Sequence, residues 1–141
     1  MKKVWLAAFA CLTVVACNND KADEKKLMDD ILATHDKVMQ AEDKAMTNKI
    51  VIDSLLKVDK FAPVDAVNQK EEFKTQSAKL SAADEAMENW MHKFDPEYKG
   101  KSHDDVMKYL AEQKKQIMHI DSLLNTSITQ STQVLSKYKK P

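Results

Sequence analysis

Apolar residues recur alternately four and three positions apart along most of this chain, and this spacing limits the folds open to it. A mean spacing of about 3.5 residues keeps one face of a helix directed at its neighbours over many turns. We therefore predict a long helix over residues 23–60, and we call its inward positions a seam. The seam of this first helix consists of Leu27, Ile31, Thr34, Val38, Ala41, Ala45, Asn48, Ile52 and Leu55.

Two further stretches carry helical patterns. A second helix is predicted over residues 64–94, with Phe73, Leu80, Ala83, Met87, Trp90, Met91 and Phe94 on one side. A third helix follows Ser102, and its seam consists of Val106, Tyr109, Leu110, Gln113, Ile117, Ile120, Leu124, Ser127, Ser131, Val134 and Tyr138. Ser102 with Asp105 predicts a capping box at the start of the third helix. Ser81 with Asp84 has the spacing of a second capping pair, which would allow a kink or break near Ser81.

A β-sheet is not expected. The chain holds one glycine and three prolines, too few for the turns of a sheet, and no stretch alternates with a period of two. Short connections between long helices make consecutive helices antiparallel. We predict an all-α fold over residues 23–141, an antiparallel up-down-up bundle of three long, coiled-coil-like helices.

The first residues of the chain have the layout of a lipoprotein signal. Lys2 and Lys3 precede an apolar run over residues 4–15, and small Ala16 precedes Cys17. The run is too short for a permanent membrane span and is typical of a cleaved leader. We predict a signal peptide over residues 1–16, lipidation of Cys17, and a short tether over residues 17–22. The mature chain would lie in the cell envelope, and the absence of aspartate after Cys17 favours the outer over the inner membrane.

Cysteine and arginine usage excludes several classes of function. Processing would leave no free thiol, because Cys11 lies in the leader and Cys17 would carry lipid; disulfides and thiol chemistry are therefore not expected. The chain has no arginine, and the mature chain would hold 20 lysines against 22 acidic residues. Nucleic-acid partners are therefore not expected. No phosphate-binding loop, nucleophile elbow, zinc-protease motif or di-iron Glu-x-x-His motif occurs, so an enzyme is not expected.

A short repeat joins the first and third helices. His35-Asp36-Lys37-Val38-Met39 returns as His103-Asp104-Asp105-Val106-Met107, and Ile52-Asp53-Ser54-Leu55-Leu56 returns as Ile120-Asp121-Ser122-Leu123-Leu124, both 68 positions later. If the chain folds about Ala62 and Tyr98, residue n of the first helix lies beside about residue n + 72 of the third. The two copies are then predicted to lie within about one turn of the same height.

This alignment would gather methionines and histidines at one end of the bundle. The hypothetical metal ligands are His35, Met39, Met87, Met91, His92, His103 and Met107. Thioether and imidazole donors together suit copper, above all Cu(I). Packing is the simpler interpretation, because methionine commonly fills gaps in helical cores. We therefore predict no cofactor; copper is the alternative, and haem, held by His and Met of facing helices, is less favoured than copper.

Several predicted seam residues are polar, which would leave the bundle less apolar than a closed core. These are Thr34, Asn48, Gln113, Ser127 and Ser131. Such a bundle can keep a groove for a partner helix or pair with itself. We predict a non-catalytic binding or structural module, attached to the membrane through the lipid on Cys17. The alternative is a periplasmic copper-binding protein.

Four features carry a resemblance to a known group: the lipoprotein signal, the three helices, the His35–Met39 pentapeptide and residues 84–92, Asp-Glu-Ala-Met-Glu-Asn-Trp-Met-His. In these features the chain resembles small uncharacterised bacterial lipoproteins that sometimes carry the label "viral A-type inclusion protein". The resemblance would cover most of the mature chain. It implies lipoprotein processing and a helical bundle, but neither an activity nor site residues.

Overall fold

The protein forms three helices that pack against one another. The computed structural model describes residues 16–58 and 65–138, so the predicted leader lies outside the described residues apart from Ala16. The helices are α1 (Ala16–Val58), α2 (Ala66–Lys93) and α3 (His103–Lys137), and each contacts the other two. The described residues contain no strand, and the all-α prediction is confirmed. None of these three helices is long and apolar enough to cross a membrane.

Helix α1 begins earlier than the pattern predicted. It starts at Ala16, so the residues predicted as a tether, 17–22, form its first turns. This stretch contains neither proline nor glycine, and the helix carries its Asp20 to the same side as Glu24. Asp20 and Glu24, one turn apart, both face His103 of α3, at 3.8 Å and 2.8 Å.

The other helix boundaries follow the predicted signals more closely. Helix α2 is unbroken at Ser81, without the kink or break that the capping pair would allow, because Leu80 and Ala83 on either side are both buried in the core. Helix α3 begins as predicted. The Ser102 hydroxyl accepts a hydrogen bond from the Asp105 backbone N–H at 3.3 Å and donates one to the Asp105 carboxylate at 2.7 Å.

The three seams meet along the axis of the bundle and form its core. The largest fully buried side chains are Ile31, Ile52, Phe73, Leu80, Met87, Leu110, Ile117 and Leu124. Leu55 is an exception, since it is 40% exposed and the neighbouring Leu56 packs against the core instead. An α-helix has about 3.6 residues per turn and drifts against a strict 3.5-residue repeat, so the inward position moves by one residue near the end of α1.

Two ion pairs show how α1 and α3 are aligned. Lys114 lies 2.7 Å from Asp30, and Lys37 lies 2.7 Å from Asp121, and each pair is 84 positions apart. The helices therefore run parallel, with residue n beside about residue n + 84. The predicted offset of 72 is wrong by twelve residues, which corresponds to about 18 Å of helix.

The connection between α2 and α3 causes this difference. The Asp95 backbone N–H donates a hydrogen bond to the Tyr109 hydroxyl at 2.7 Å, so the end of α2 lies level with the seventh residue of α3. The connection turns at Tyr98 and Gly100, whose φ angles are 30° and 78°. It doubles back beside the first two turns of α3, which therefore extend beyond α2 and pack on the start of α1.

Helices α1 and α2 run antiparallel, as predicted. Ser77 donates a hydrogen bond to Asp53 at 2.6 Å, and the ring centroids of His35 and Trp90 lie 6.1 Å apart. These contacts agree with the predicted alignment of the two helices to within about two turns. The predicted alignment of α1 with α2 is therefore close to the observed one, whereas the predicted alignment of α1 with α3 is wrong.

Candidate functional site

The structure divides the seven hypothetical metal ligands. His103 and Met107 belong to the first turns of α3, where the His103 Nδ1 lies 2.8 Å from the Glu24 carboxylate. His35 is eleven residues farther along α1 than Glu24, a distance of about 16 Å along the helix. The prediction that His35 and His103 share one height is therefore wrong, because the actual alignment moves α3 along the bundle.

Met87 and His92 also lie apart from the other hypothetical ligands. Met87 is 1% exposed and belongs to the hydrophobic core. His92 is exposed on the outer side of α2, with its Nε2 3.8 Å from the Glu88 carboxylate one turn earlier. Neither side chain shares a surface with the α3 residues of the predicted set.

The remaining three residues flank one interface. The hydrogen bond between Asp53 and Ser77 aligns α1 with α2. Near the other end of the interface, the His35 ring lies 6.1 Å from the Trp90 ring, and Met91 follows Trp90. His35 lies one turn before Met39, half-buried, with its Nδ1 3.0 Å from the Asp36 carboxylate. The two contacts together put His35, Met39 and Met91 on the flank of α1 and α2, at heights within about one and a half turns of one another.

Imidazole, thiol and carboxylate donors do not form a metal cluster in the part of the chain that the structure describes. Within residues 16–58 and 65–138, no three His, Cys, Asp or Glu side chains are arranged to hold an ion. The thioethers of Met39 and Met91 are a different class of donor from these four residue types.

A line of exposed apolar side chains runs along the same flank. Leu32, Met39 and Met46 follow one another at intervals of seven residues on α1 and are 44%, 38% and 48% exposed, and Met91 of α2 is 40% exposed. Seven residues are close to two helical turns, so the three α1 side chains point in nearly the same direction. We call the surface formed by these four residues, together with Glu42 and Asp84, the α1–α2 groove.

The α1–α2 groove deepens beside Met46. A cavity of about 190 Å³ opens there, with Ala45, Leu80 and Leu124 among its lining residues. The small side chain of Ala45 leaves this gap, because a larger residue at the seam would fill the space above the two leucines. Glu42 and Asp84 stand on opposite helices and also line the cavity.

The rim of this cavity carries unbalanced negative charge. Burial raises the pKa of Glu42 above its usual range, and the nearby Asp84 carboxylate raises it further. Neither Glu42 nor Asp84 forms an ion pair among the described residues. Lys49 also lines the cavity, but its ammonium group is held by Asp53 at 2.6 Å. The arrangement is suited to a ligand that is apolar at one point and cationic at another.

Sequence reasoning missed most of this surface. Leu32, Met46, Glu42 and Asp84 did not figure among the candidate residues, because only the seam and the repeat were considered. A signal was present: Leu32, Met39 and Met46 each follow a core residue, Ile31, Val38 and Ala45, by one position. Apolar residues that widen a seam in this way predict a second contact surface.

Other proteins offer no guide to this site. The resemblance to small bacterial lipoproteins stays a prediction. Comparison with models of protein families, with curated proteins and with solved structures finds no match to this chain.

Proposed function

We propose that this protein is a non-catalytic binding module held at the cell envelope by a lipid on Cys17. The observation that carries the proposal is the α1–α2 groove, where Leu32, Met39, Met46 and Met91 expose apolar area in one line. Exposed apolar side chains repeated along one flank beside an open cavity are typical of an interaction surface. Methionine is well suited to such a surface, since its flexible side chain adapts to different contacts.

The position of Cys17 supports the same proposal. Cys17 is the second residue of α1, and Met39 follows it by 22 residues on the same helix. At about 1.5 Å per residue, Met39 stands about 33 Å from the attachment point, and Leu32, the groove residue nearest to it, about 22 Å. A lipid on Cys17 would therefore leave the groove clear of the lipid headgroups and accessible to a protein in the envelope.

The lipid anchor is tested by metabolic labelling with a palmitate analogue, comparing the native chain with Cys17→Ser. We expect label on the native chain only, and recovery of that chain with the outer-membrane fraction. Equal labelling of the two chains, or none on either, would overturn the anchor and leave the groove to be tested separately.

The binding role is tested by replacing Met39 with a photo-crosslinking amino acid in living cells. Met118, also exposed but on α3 and outside the groove, provides the control position. We expect defined adducts from position 39 and none above background from position 118. Adducts of equal yield at the two positions, or none at either, would contradict a dedicated binding surface on the groove.

A second candidate function is copper binding, and the alignment of α1 with α2 is the observation that favours it. Because Met39 and Met91 lie on the same flank at heights within about one and a half turns, and His35 lies one turn before Met39, two thioethers and one imidazole flank one stretch of the groove. Two sulfur donors and one nitrogen donor fit the preference of Cu(I) for soft ligands. This set replaces the larger one predicted from the sequence.

Titration of Cu(I) against a competing chelator tests this candidate. We expect a single site that is lost in the triple variant His35→Ala, Met39→Ala, Met91→Ala. The matched control removes the same residue types elsewhere, as His119→Ala, Met107→Ala, Met118→Ala, and should bind as the native chain does. Loss of binding in the control but not in the first variant would place the site outside the groove. Absence of binding by the native chain would end the copper interpretation.

A further inference from the structure

We propose that the α1–α2 groove binds a basic amphipathic helix of a partner protein, with one apolar side chain of that helix in the cavity beside Met46 and a lysine or arginine over Glu42 and Asp84. This inference rests on the proposed binding function and names the chemical class of the partner.

The cavity and the methionines supply the apolar part of the recognition. The cavity of about 190 Å³ is lined by Leu80 and Leu124 and is open at the surface. A cavity of about 150 Å³ in a protein core accepts a benzene molecule, so this one accepts an aliphatic or aromatic side chain. Met39 and Met91 lie seven residues farther along the groove, about 10.5 Å away. They provide a second contact for an apolar residue one heptad from the first.

Unpaired carboxylates supply the charged part. Glu42 stands between Met39 and Met46 on α1, and Asp84 faces it from α2. The two carboxylates repel one another, and burial raises the pKa of Glu42 further. A cation placed between them would relieve this repulsion, and it would do so in a partly dehydrated site where charge interactions are stronger than in water.

The corresponding groove between α1 and α3 differs in that its acidic residues are paired with lysines. Met118 is exposed there, but the acidic residues beside it are already neutralised, Asp30 by Lys114 and Asp121 by Lys37, each at 2.7 Å. Among the described residues, the α1–α2 groove therefore combines exposed methionines with two carboxylates, Glu42 and Asp84, that are not paired with a lysine. An apolar surface with acidic flanks selects an amphipathic helix that carries basic residues.

Methionine methyl NMR on the native full-length protein tests the proposal directly. The protein is used as cells make it, in phosphatidylcholine nanodiscs if it carries lipid. The probe is an 18-residue synthetic helix with leucines on one face, seven and three or four residues apart, and lysines elsewhere. We expect the methyl signals of Met39, Met46 and Met91 to shift, and that of Met118 to stay. Equal shifts of all four, or no shift, would overturn the proposal.

Charge reversal provides the second readout. The double variant Glu42→Lys, Asp84→Lys should weaken binding of the lysine peptide at least tenfold. Its control, Glu85→Lys with Glu112→Lys on exposed surfaces outside the groove, makes the same change in net charge and should weaken binding less than about threefold. A peptide with glutamate in place of each lysine should not bind the native protein. If both variants lose affinity equally, attraction is nonspecific and the proposal fails.

The outcomes separate this inference from the proposed function. If crosslinks form at position 39 but the lysine peptide does not bind, the groove is a binding surface for a partner of other chemistry. If neither result is obtained, the binding function itself is wrong. Shifts of the three groove methionines without crosslinking in cells would support the chemistry of the groove and contradict its use under those growth conditions.

Discussion

The Asn48 side-chain amide donates a hydrogen bond to the Ser131 hydroxyl at 2.8 Å, across the interface of α1 and α3 and within the core. The same amide lies 2.9 Å from the Thr132 hydroxyl and 3.4 Å from the Ile128 carbonyl. Burial of a polar group without a partner is costly, so an alignment that separated Asn48 from these acceptors would be disfavoured. A single polar residue at a seam position can fix the alignment of two helices in this way.

The first prediction concerns this polar contact. Asn48→Ala should lower the free energy of unfolding by about 1–3 kcal/mol, because it removes the hydrogen bonds and leaves the buried Ser131 hydroxyl without a donor. A double-mutant cycle with Ser131→Ala, measured by urea unfolding, should give a coupling of about 0.5–1.5 kcal/mol. Asn125→Ala, on an exposed part of α3, should change stability by less than about 0.5 kcal/mol. Additive effects in the cycle would show that the contact does not contribute to stability.

Two methionines one turn apart on α2 should behave differently. Met87 is 1% exposed and Met91 is 40% exposed. Met87→Ala should cost about 2–5 kcal/mol, the range for truncation of a buried side chain, and Met91→Ala should cost less than about 1 kcal/mol. Urea unfolding midpoints compare the two variants. Equal losses would contradict the assignment of Met87 to the core and Met91 to the groove.

The third prediction concerns pH. The hydrogen bond with Glu24 raises the pKa of His103 above its usual value, and the charges of Asp20, Glu24 and Asp104 add to this shift. Since the folded-state pKa exceeds that of the unfolded chain, about 6.5, protonated His103 stabilises the fold fully below that pH. This stabilisation is lost as the pH rises through the raised pKa.

Thermal unfolding between pH 5.5 and pH 9 measures the effect. The native chain should unfold at a higher temperature than His103→Gln at pH 5.5, and the difference should shrink towards pH 9. His119→Gln, an exposed position on the same helix, should show no such trend. A difference that grows with pH would mean that neutral His103 is the form that the fold prefers.

Ionisation of Glu42 should destabilise the fold, whereas ionisation of a carboxylate with a lowered pKa stabilises it. The pKa of Glu42 is raised, first by burial and then by Asp84, so its ionised form is less favourable in the folded state than in the unfolded chain. This penalty is absent below the unfolded pKa of about 4.3 and is fully present above the folded one. Glu42→Gln should therefore raise the unfolding midpoint at pH 7 and lose this advantage at pH 4. Glu85→Gln, on the outer side of α2, is the control and should have little effect at either pH.

Much of the fold could be predicted from the sequence because each seam is a local property. The spacing of Ile31, Val38 and Ile52 identifies the buried face of α1 without reference to any other helix, and the same holds for α3. Displacing one helix along another by about two heptads leaves the same faces in contact. The core residues were therefore predicted well even though the offset of α1 and α3 was wrong by twelve residues.

The candidate site could be predicted only in part, for the same reason. Its α1 and α2 members, Met39 and Met91, lie on one flank because those two helices align nearly as predicted. His103 and Met107 were placed with them on the assumption that the chain folds evenly about Tyr98. That connection instead doubles back, with positive φ at Tyr98 and Gly100. His103 and Met107 therefore lie away from Met39 and Met91.

The sequence by itself determined the helical class, the buried faces, the Ser102 cap and the exposed spacing of Leu32, Met39 and Met46, since each follows from residues within a few turns of one another. Only the tertiary structure decided which residues of different helices meet. That alignment depends on the path of one connection and on a buried contact between Asn48 and Ser131, 83 positions apart. Local periodicity is unchanged when a helix slides by whole heptads, so it cannot specify the height at which two helices pair.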